Sequence, residues 1–186
     1  DDFSIDWERV ASCIGTRTRL IMINSPHNPT GSILEQEDLL TLQSLVEQHD
    51  LLVISDEVYE HLVYDGQQHH SVLQLPQLRQ RSFAVFSFGK TFSVTGWKTG
   101  YCVAPAQLTV ELRKVHQFVS FVAVTPVQMA VADFMQAEPD YPATLAAFFV
   151  LVAEPWPLSR RQGPDTEYAH ERFAHHLGEP PGEVAS

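Results

Sequence analysis

Leu51-Leu52-Val53-Ile54-Ser55-Asp56-Glu57 is the stretch that decides the fold. Its apolar residues run without polar alternation and then stop at two carboxylates. A strand with one wet face would alternate, and a helix would need more length. A short continuous apolar run is a strand covered on both faces, the kind found in parallel sheets. Thr18 to Asn24 (TRLIMIN) and Ser82 to Phe88 (SFAVFSF) have the same character, and Gly100 to Ala104 (GYCVA) reads as a fourth strand. Between the first two, Leu39, Leu42, Leu45 and Val46 fall on one helical face, behind Ser32 and Glu35 at capping-box spacing. Buried strands separated by helical stretches predict an α/β fold, a mostly parallel sheet flanked by helices.

Helices return after Pro105. Leu108, Leu112, Val115, Val119 and Val122 step by three and four, an apolar stripe on a helix of about four turns. Thr125-Pro126-Val127-Gln128 then supplies an N-cap, a first-turn proline and a reciprocal glutamine for a helix through Ala137. Ser25-Pro26-His27-Asn28-Pro29-Thr30-Gly31, with two prolines and a glycine, is a shaped loop rather than regular structure. No repeat with a period of about twenty to fifty residues is present.

The chain has 186 residues, with hydrophobic 44% and charged 19%, the balance of a globular protein rather than a disordered one. Twelve basic against 23 acidic residues give a net charge of −11, which argues against nucleic acid or an anionic membrane as partner. The longest apolar run, Leu145 to Ala153, is far too short to span a bilayer. Cys13 and Cys102 form no paired-cysteine pattern and point to a reducing, cytoplasmic setting. No signal peptide is visible, and an opening Asp1-Asp2-Phe3 without methionine reads as a chain that has lost its beginning. From Leu151 onward come five of the 12 prolines, no lysine and no clean period, so 151–186 is expected to be a poorly ordered tail.

Ligands of open α/β sheets gather beyond the carboxyl ends of the strands. Three strands here end in polar residues that a plain core would not need: Asn28, Asp56, and the pair Ser87 and Lys90. Lys90 reads either as a desolvated amine suited to a Schiff base or as a lysine that snorkels to water. Asp56 reads either as a cap for the following turn or as a buried anion facing a cationic ring nitrogen. Tyr59 either offers its hydroxyl to the same ligand or packs on the sheet.

Other patterns fail. Gly89-Lys90-Thr91 looks like the end of a P-loop, but the first glycine would stand where Ala84 is. No GxGxxG occurs, and Pro29 excludes Asn28 as a glycosylation acceptor. The histidines, including His69-His70 and His175-His176, lack ligand spacing, so no metal site is expected and solvated surface is the better reading. Glu57, Glu60 and His61 read as a turn face.

Taken together, Asn28-Pro29-Thr30-Gly31, Ser55-Asp56-Glu57-Val58-Tyr59, Ser87-Phe88-Gly89-Lys90-Thr91 and Gly96-Trp97-Lys98-Thr99-Gly100-Tyr101 stand in the order seen in one family. The chain resembles the class I/II aminotransferases, pyridoxal-phosphate enzymes of fold type I. The connecting text (ISDEVYEHLVYD, SFGKTFSVTGWKTGYCVAP) is most similar to the methionine aminotransferase and kynurenine aminotransferase branch. The likeness runs from about Phe3 to about Phe148, so residues 1–150 would be part of the large, cofactor-binding domain.

The resemblance implies roles. Lys90 would join pyridoxal 5'-phosphate as its Schiff-base lysine and shuttle the substrate proton, and Asp56 would keep the pyridine nitrogen protonated. Asn28 and Tyr59 would hydrogen-bond the ring's 3' oxygen. Ser87 and Lys98 would bind the phosphate, Lys98 as a point charge where much of the class has arginine. The family commonly has a cis bond at the position of Asn28-Pro29, and cis is expected here. The implied reaction is amino transfer from a methionine-like or aromatic amino acid to a 2-oxo acid, by an enzyme that is homodimeric in full-length members. The alternatives are a carbon–sulfur β-lyase using the same residues, and a non-catalytic truncated remnant. In the family, the loop cradling the phosphate lies upstream of these motifs and the arginine gripping the substrate carboxylate lies downstream. The chain alone is therefore expected to be inactive.

Overall fold

The apolar runs fold as four strands: β1 (Leu20–Asn24), β2 (Leu52–Asp56), β3 (Ser82–Phe86) and β4 (Tyr101–Val103). They form one sheet in the order β1-β2-β3-β4. The first three are parallel and β4 returns antiparallel to β3. The mostly parallel sheet expected from the sequence is what the computed structural model contains, and it describes residues 3–142. By its contacts the chain divides into a unit Asp1–Ala146 and a remainder Ala147–Ser186. The expectation for 151–186 falls outside the described residues.

The register of the parallel strands aligns their ends. Asn24 pairs with Asp56 across β1 and β2, and Asp56 pairs with Val85 across β2 and β3. The carboxyl ends of three adjacent strands are therefore level, and the segments leaving them start from a common edge.

Helix α1 (Trp7–Cys13), which the sequence reading lacks, is capped by Asp6 accepting from the Arg9 amide at 2.9 Å. Helix α2 (Gln36–Gln48) joins β1 to β2 and buries Leu39, Leu42 and Val46. Each of those side chains contributes about 2 kcal/mol by leaving water. With Ile23, Val53, Ala84 and Phe86 of the sheet they make the core, against which Trp7 packs. The Trp7 indole donates to Asp38 at 2.7 Å, so a partly buried ring has its polar handle satisfied. Ser32 does not cap α2. The helix begins one turn later, with Glu35 as N-cap and its amide donating to Asp38 at 2.9 Å. Ser32 is taken up by the preceding loop, its hydroxyl 2.9 Å from that of Thr30.

A 3-10 turn (Val72–Gln74) and helix α3 (Pro76–Arg79) lead from β2 to β3. β3 ends at Phe86, two residues before the expected end, because Ser87 caps the short helix α4 (Phe88–Thr91). Gly100 then returns the chain beside β3: a Cβ there would run into the Phe86 carbonyl, so only glycine allows this approach. Tyr101 stacks on Phe86 with centroids 4.8 Å apart and lies against Phe88 at 4.9 Å.

Helix α6 (Thr125–Ala137) ends where expected, whereas α5 (Ala106–Val119) stops before Val122, the last residue of the expected stripe, with Ser120 as its C-cap. Val124, not Thr125, is the N-cap of α6, and the Gln128 side-chain amide donates to the Ala123 carbonyl at 2.8 Å. The apolar stripe of α5 is left open among the described residues, with Val115 61% and Val119 77% exposed.

Candidate active site

The loop after β1 is tied to itself and to the sheet. The His27 amide donates to the Ser32 carbonyl and the Gly31 amide to the His27 carbonyl, both at 2.8 Å. Gly31 has φ +74°, a conformation that other residues rarely adopt. Asn28-Pro29 is cis as expected, and Ser25-Pro26 is cis as well. The Ser25 amide donates to the Asp56 carbonyl at 3.1 Å, and the buried Ser25 hydroxyl accepts from the Leu34 amide at 3.0 Å.

On this frame the Asn28 side-chain amide donates to the Tyr59 hydroxyl at 3.2 Å. The Lys90 ammonium stands over the face of the Tyr59 ring, 5.5 Å from its centroid. Three of the six sequence-predicted residues thus meet directly. Among the described residues Lys90 has neither a hydrogen bond nor an ion pair from its ammonium, although it is only partly exposed.

Asp56 lies at the end of β2, and its carboxylate accepts from the Val58 amide at 3.4 Å. The turn-capping contact considered for it is present, weak in length, and among the described residues leaves most of the carboxylate's accepting capacity unused. The Ser87 hydroxyl accepts from the Lys90 amide at 3.3 Å, so it caps the helix turn that carries Lys90. Lys98 is exposed in a left-handed conformation, φ 53°, in a segment held to α4 by Thr95 and Thr99 bonding to Gly89. No hydrogen bond or ion pair joins the Lys98 side chain to the other five among the described residues.

The sequence reading missed two features. Asn24 donates to the Asp56 carbonyl at 2.9 Å and accepts from the Asn28 amide at 3.1 Å. Glu57 is not on a turn face: it is 1% exposed and accepts from Ser55 at 2.8 Å, His69 at 2.8 Å and the Val72 amide at 3.2 Å. His69 is correspondingly not solvated surface. The signal for Glu57 lies in the alternation along β2, where Val53 and Ser55 are buried and Glu57 continues the same face.

Beside this cluster, burial pushes the Glu60 carboxyl above its ordinary range and the His61 imidazole below its own. The Tyr101 phenol is pushed up by burial and by the charges of Glu60 and Glu57. A cavity lined by Glu60, His61, Phe88, Phe92, Tyr101 and Met135, among others, contains none of the six predicted residues. No group of three or more metal-type side chains is assembled among the described residues. No described helix is long and apolar enough to cross a membrane.

The family model "Aminotransferase class I and II" matches residues 1–147. The chain belongs to the class I and II aminotransferases. Members of this family use pyridoxal 5'-phosphate. Among curated relatives, the Escherichia coli methionine aminotransferase is 49% identical over 147 residues, 79% of this chain and 38% of that protein. Mouse kynurenine–oxoglutarate transaminase 1 is 37% identical over 160 residues, 86% of this chain and 38% of that protein. A solved Escherichia coli structure with a methionine aminotransferase function superposes with a TM-score of 0.78 at 48% identity, covering 81% of this chain and 40% of that one. The aromatic aminotransferase of Pyrococcus horikoshii gives 0.73 at 30% identity, covering 96% and 44%. The chain therefore spans about two fifths of the length of these class I/II aminotransferases.

Proposed function

We propose that this chain supplies the lysine-bearing part of a pyridoxal-phosphate aminotransferase that moves an amino group from a methionine-like or aromatic amino acid to a 2-oxo acid. The observation that carries the reading is Lys90: a partly buried ammonium without an anionic partner among the described residues, held over Tyr59 beside the Asn28–Tyr59 hydrogen bond. The residues fit the cofactor, because an amine, an under-used carboxylate, a phenol and an amide stand at one edge of the sheet. The identity to a methionine aminotransferase and to kynurenine transaminases supports the donor class.

When bound, pyridoxal phosphate supplies an aldehyde for an amine and an electron-withdrawing ring that accepts negative charge from the substrate's α-carbon. Lys90 would provide the amine that holds the aldehyde, and its Nζ would serve as the base at the substrate's α-proton. Asp56 holds a proton on the ring nitrogen by opposite charge. Asn28 and Tyr59 would donate to the ring's 3' oxygen, and the Tyr59 face keeps Lys90 in place. The Ser87 hydroxyl and the Lys98 ammonium hold the phosphate, Lys98 as a freely swinging point charge.

The reading carries an amino acid and a 2-oxo acid as small-molecule partners and a homodimeric assembled enzyme. Exposed free thiols at Cys13 and Cys102 suit a reducing cytoplasm. The test is a graft: residues 1–147 replace the corresponding segment of the Escherichia coli methionine aminotransferase. Amino transfer from methionine to a 2-oxo acid is expected to survive and to vanish with Lys90→Ala. A graft that folds but takes up no cofactor refutes the reading.

A further inference from the structure

Asn24 is one of only two asparagines in the chain and stands in register with Asp56 at the end of β1. Its side chain uses both ends of its amide. The Nδ2 donates to the Asp56 carbonyl at 2.9 Å, and the Oδ1 accepts from the Asn28 amide at 3.1 Å. Only one orientation of the amide satisfies both partners, since a flipped group would set oxygen against oxygen and donor against donor. The Asn28 side chain in turn reaches the Tyr59 hydroxyl at 3.2 Å, and Lys90 lies over that ring.

The surrounding bonds show why this amide matters. The His27, Thr30, Gly31 and Ser32 contacts tie the loop to itself, and Ser25 ties its first residue to the sheet. The Asn28 backbone is joined to β2 through Asn24 alone among the described hydrogen bonds. We infer that Asn24 is a positioning residue of the cofactor site: one amide sets the Asp56 and Asn28 backbones relative to each other, and through Asn28 it sets the Tyr59 hydroxyl. The inference rests on the proposed aminotransferase reading for its consequence, though not for its geometry.

Two variants separate the two bonds. Asn24→Asp keeps an oxygen for the Asn28 amide and turns the other oxygen against the Asp56 carbonyl. Asn24→Ala loses both bonds. The 186-residue chain and both variants are titrated with pyridoxal phosphate across a pH series. The visible band of the lysine-bound cofactor is followed, with amide exchange at Asn28 measured alongside. Asn24→Asp is expected to bind about tenfold more weakly, the size of one lost hydrogen bond, Asn24→Ala more weakly still, and both to shift the pH at which the band changes form. Exchange at Asn28 is expected to speed up in Asn24→Ala and to stay slow in Asn24→Asp. Unchanged affinity and band in a folded variant overturn the inference, as does unchanged Asn28 exchange in Asn24→Ala. If the unsubstituted chain binds no cofactor at Lys90, the assignment of this chain's Lys90 as a cofactor lysine outside the graft falls, and Asn28 exchange alone then decides whether Asn24 positions this loop. If Asn24→Ala does not fold, the affinity and band of Asn24→Asp decide it.

Discussion

The Lys90 ammonium stands 5.5 Å from the centroid of the Tyr59 ring, while the hydroxyl of the same ring accepts a hydrogen bond from Asn28. One aromatic side chain thus touches residues from the ends of two different strands: its face serves the lysine that follows β3, and its hydroxyl serves the loop that follows β1. The two functions can be removed separately.

Tyr59→Phe deletes the hydroxyl and keeps the ring face. Cofactor is expected to remain attached at Lys90 with affinity lowered about tenfold, the scale of one hydrogen bond. Tyr59→Leu removes the ring as well and adds the loss of the cation–π contact, about 1 kcal/mol. Spectrophotometric titration of both variants with pyridoxal phosphate distinguishes them, and equal affinities would show that the ring face contributes nothing.

Glu57 is a stability residue. Its buried carboxylate serves Ser55, His69 and the Val72 amide, so Glu57→Ala strands three donors. Leaving buried donors unsatisfied costs about 1–3 kcal/mol each, whereas Glu57→Gln, with similar volume and one accepting oxygen, is expected to cost about 1–2 kcal/mol in all. Urea unfolding midpoints of the two variants test the order.

The Glu60 and His61 pair gives the stability an opposed pH dependence. Burial raises the Glu60 carboxyl above 4.5, so the folded chain holds this proton more tightly, and stability is lost as pH rises from 4.5 through the raised value. Burial, aided by the charge of His69, lowers His61 below 6.5, so stability is lost as pH falls from 6.5 through the lowered value. Glu60→Gln is expected to raise stability above the carboxylate's range and leave the acid limb due to His61. His61→Asn is expected to flatten that limb. Denaturation curves over a pH series read both effects.

Much of this arrangement is legible in the sequence because strand ends in a parallel sheet announce themselves. Asp56 follows an unbroken apolar run, Ser87 and Lys90 follow another, and Asn28 sits in a loop too rich in proline for regular structure. Asn24 is harder to see because it closes a strand and looks like its last residue. Its importance comes from the register with Asp56, which no local pattern carries. Glu57 is hidden by its neighbours: beside Asp56, Glu60 and His61 it reads as a charged turn, and only the alternation of β2 carried one step further places it inside. The helix starts at Glu35 and Val124 depart from the expected caps because Ser32 is engaged by Thr30 and Thr125 is already helical. The stripe on α5 is legible as a pattern, but amphipathic spacing says that a face is apolar and not what covers it.

The chain has three lysines, Lys90, Lys98 and Lys114, so the attachment point of the cofactor can be read without ambiguity. The decisive measurement is borohydride reduction of the 186-residue chain after incubation with pyridoxal phosphate, followed by peptide mapping. A single pyridoxyl label is predicted on Lys90, abolished in Lys90→Ala and not transferred to Lys98. Label spread evenly over the three lysines, or persisting on Lys98 or Lys114 while Lys90 stays unmodified, would contradict the assignment of Lys90 as the cofactor-bearing residue.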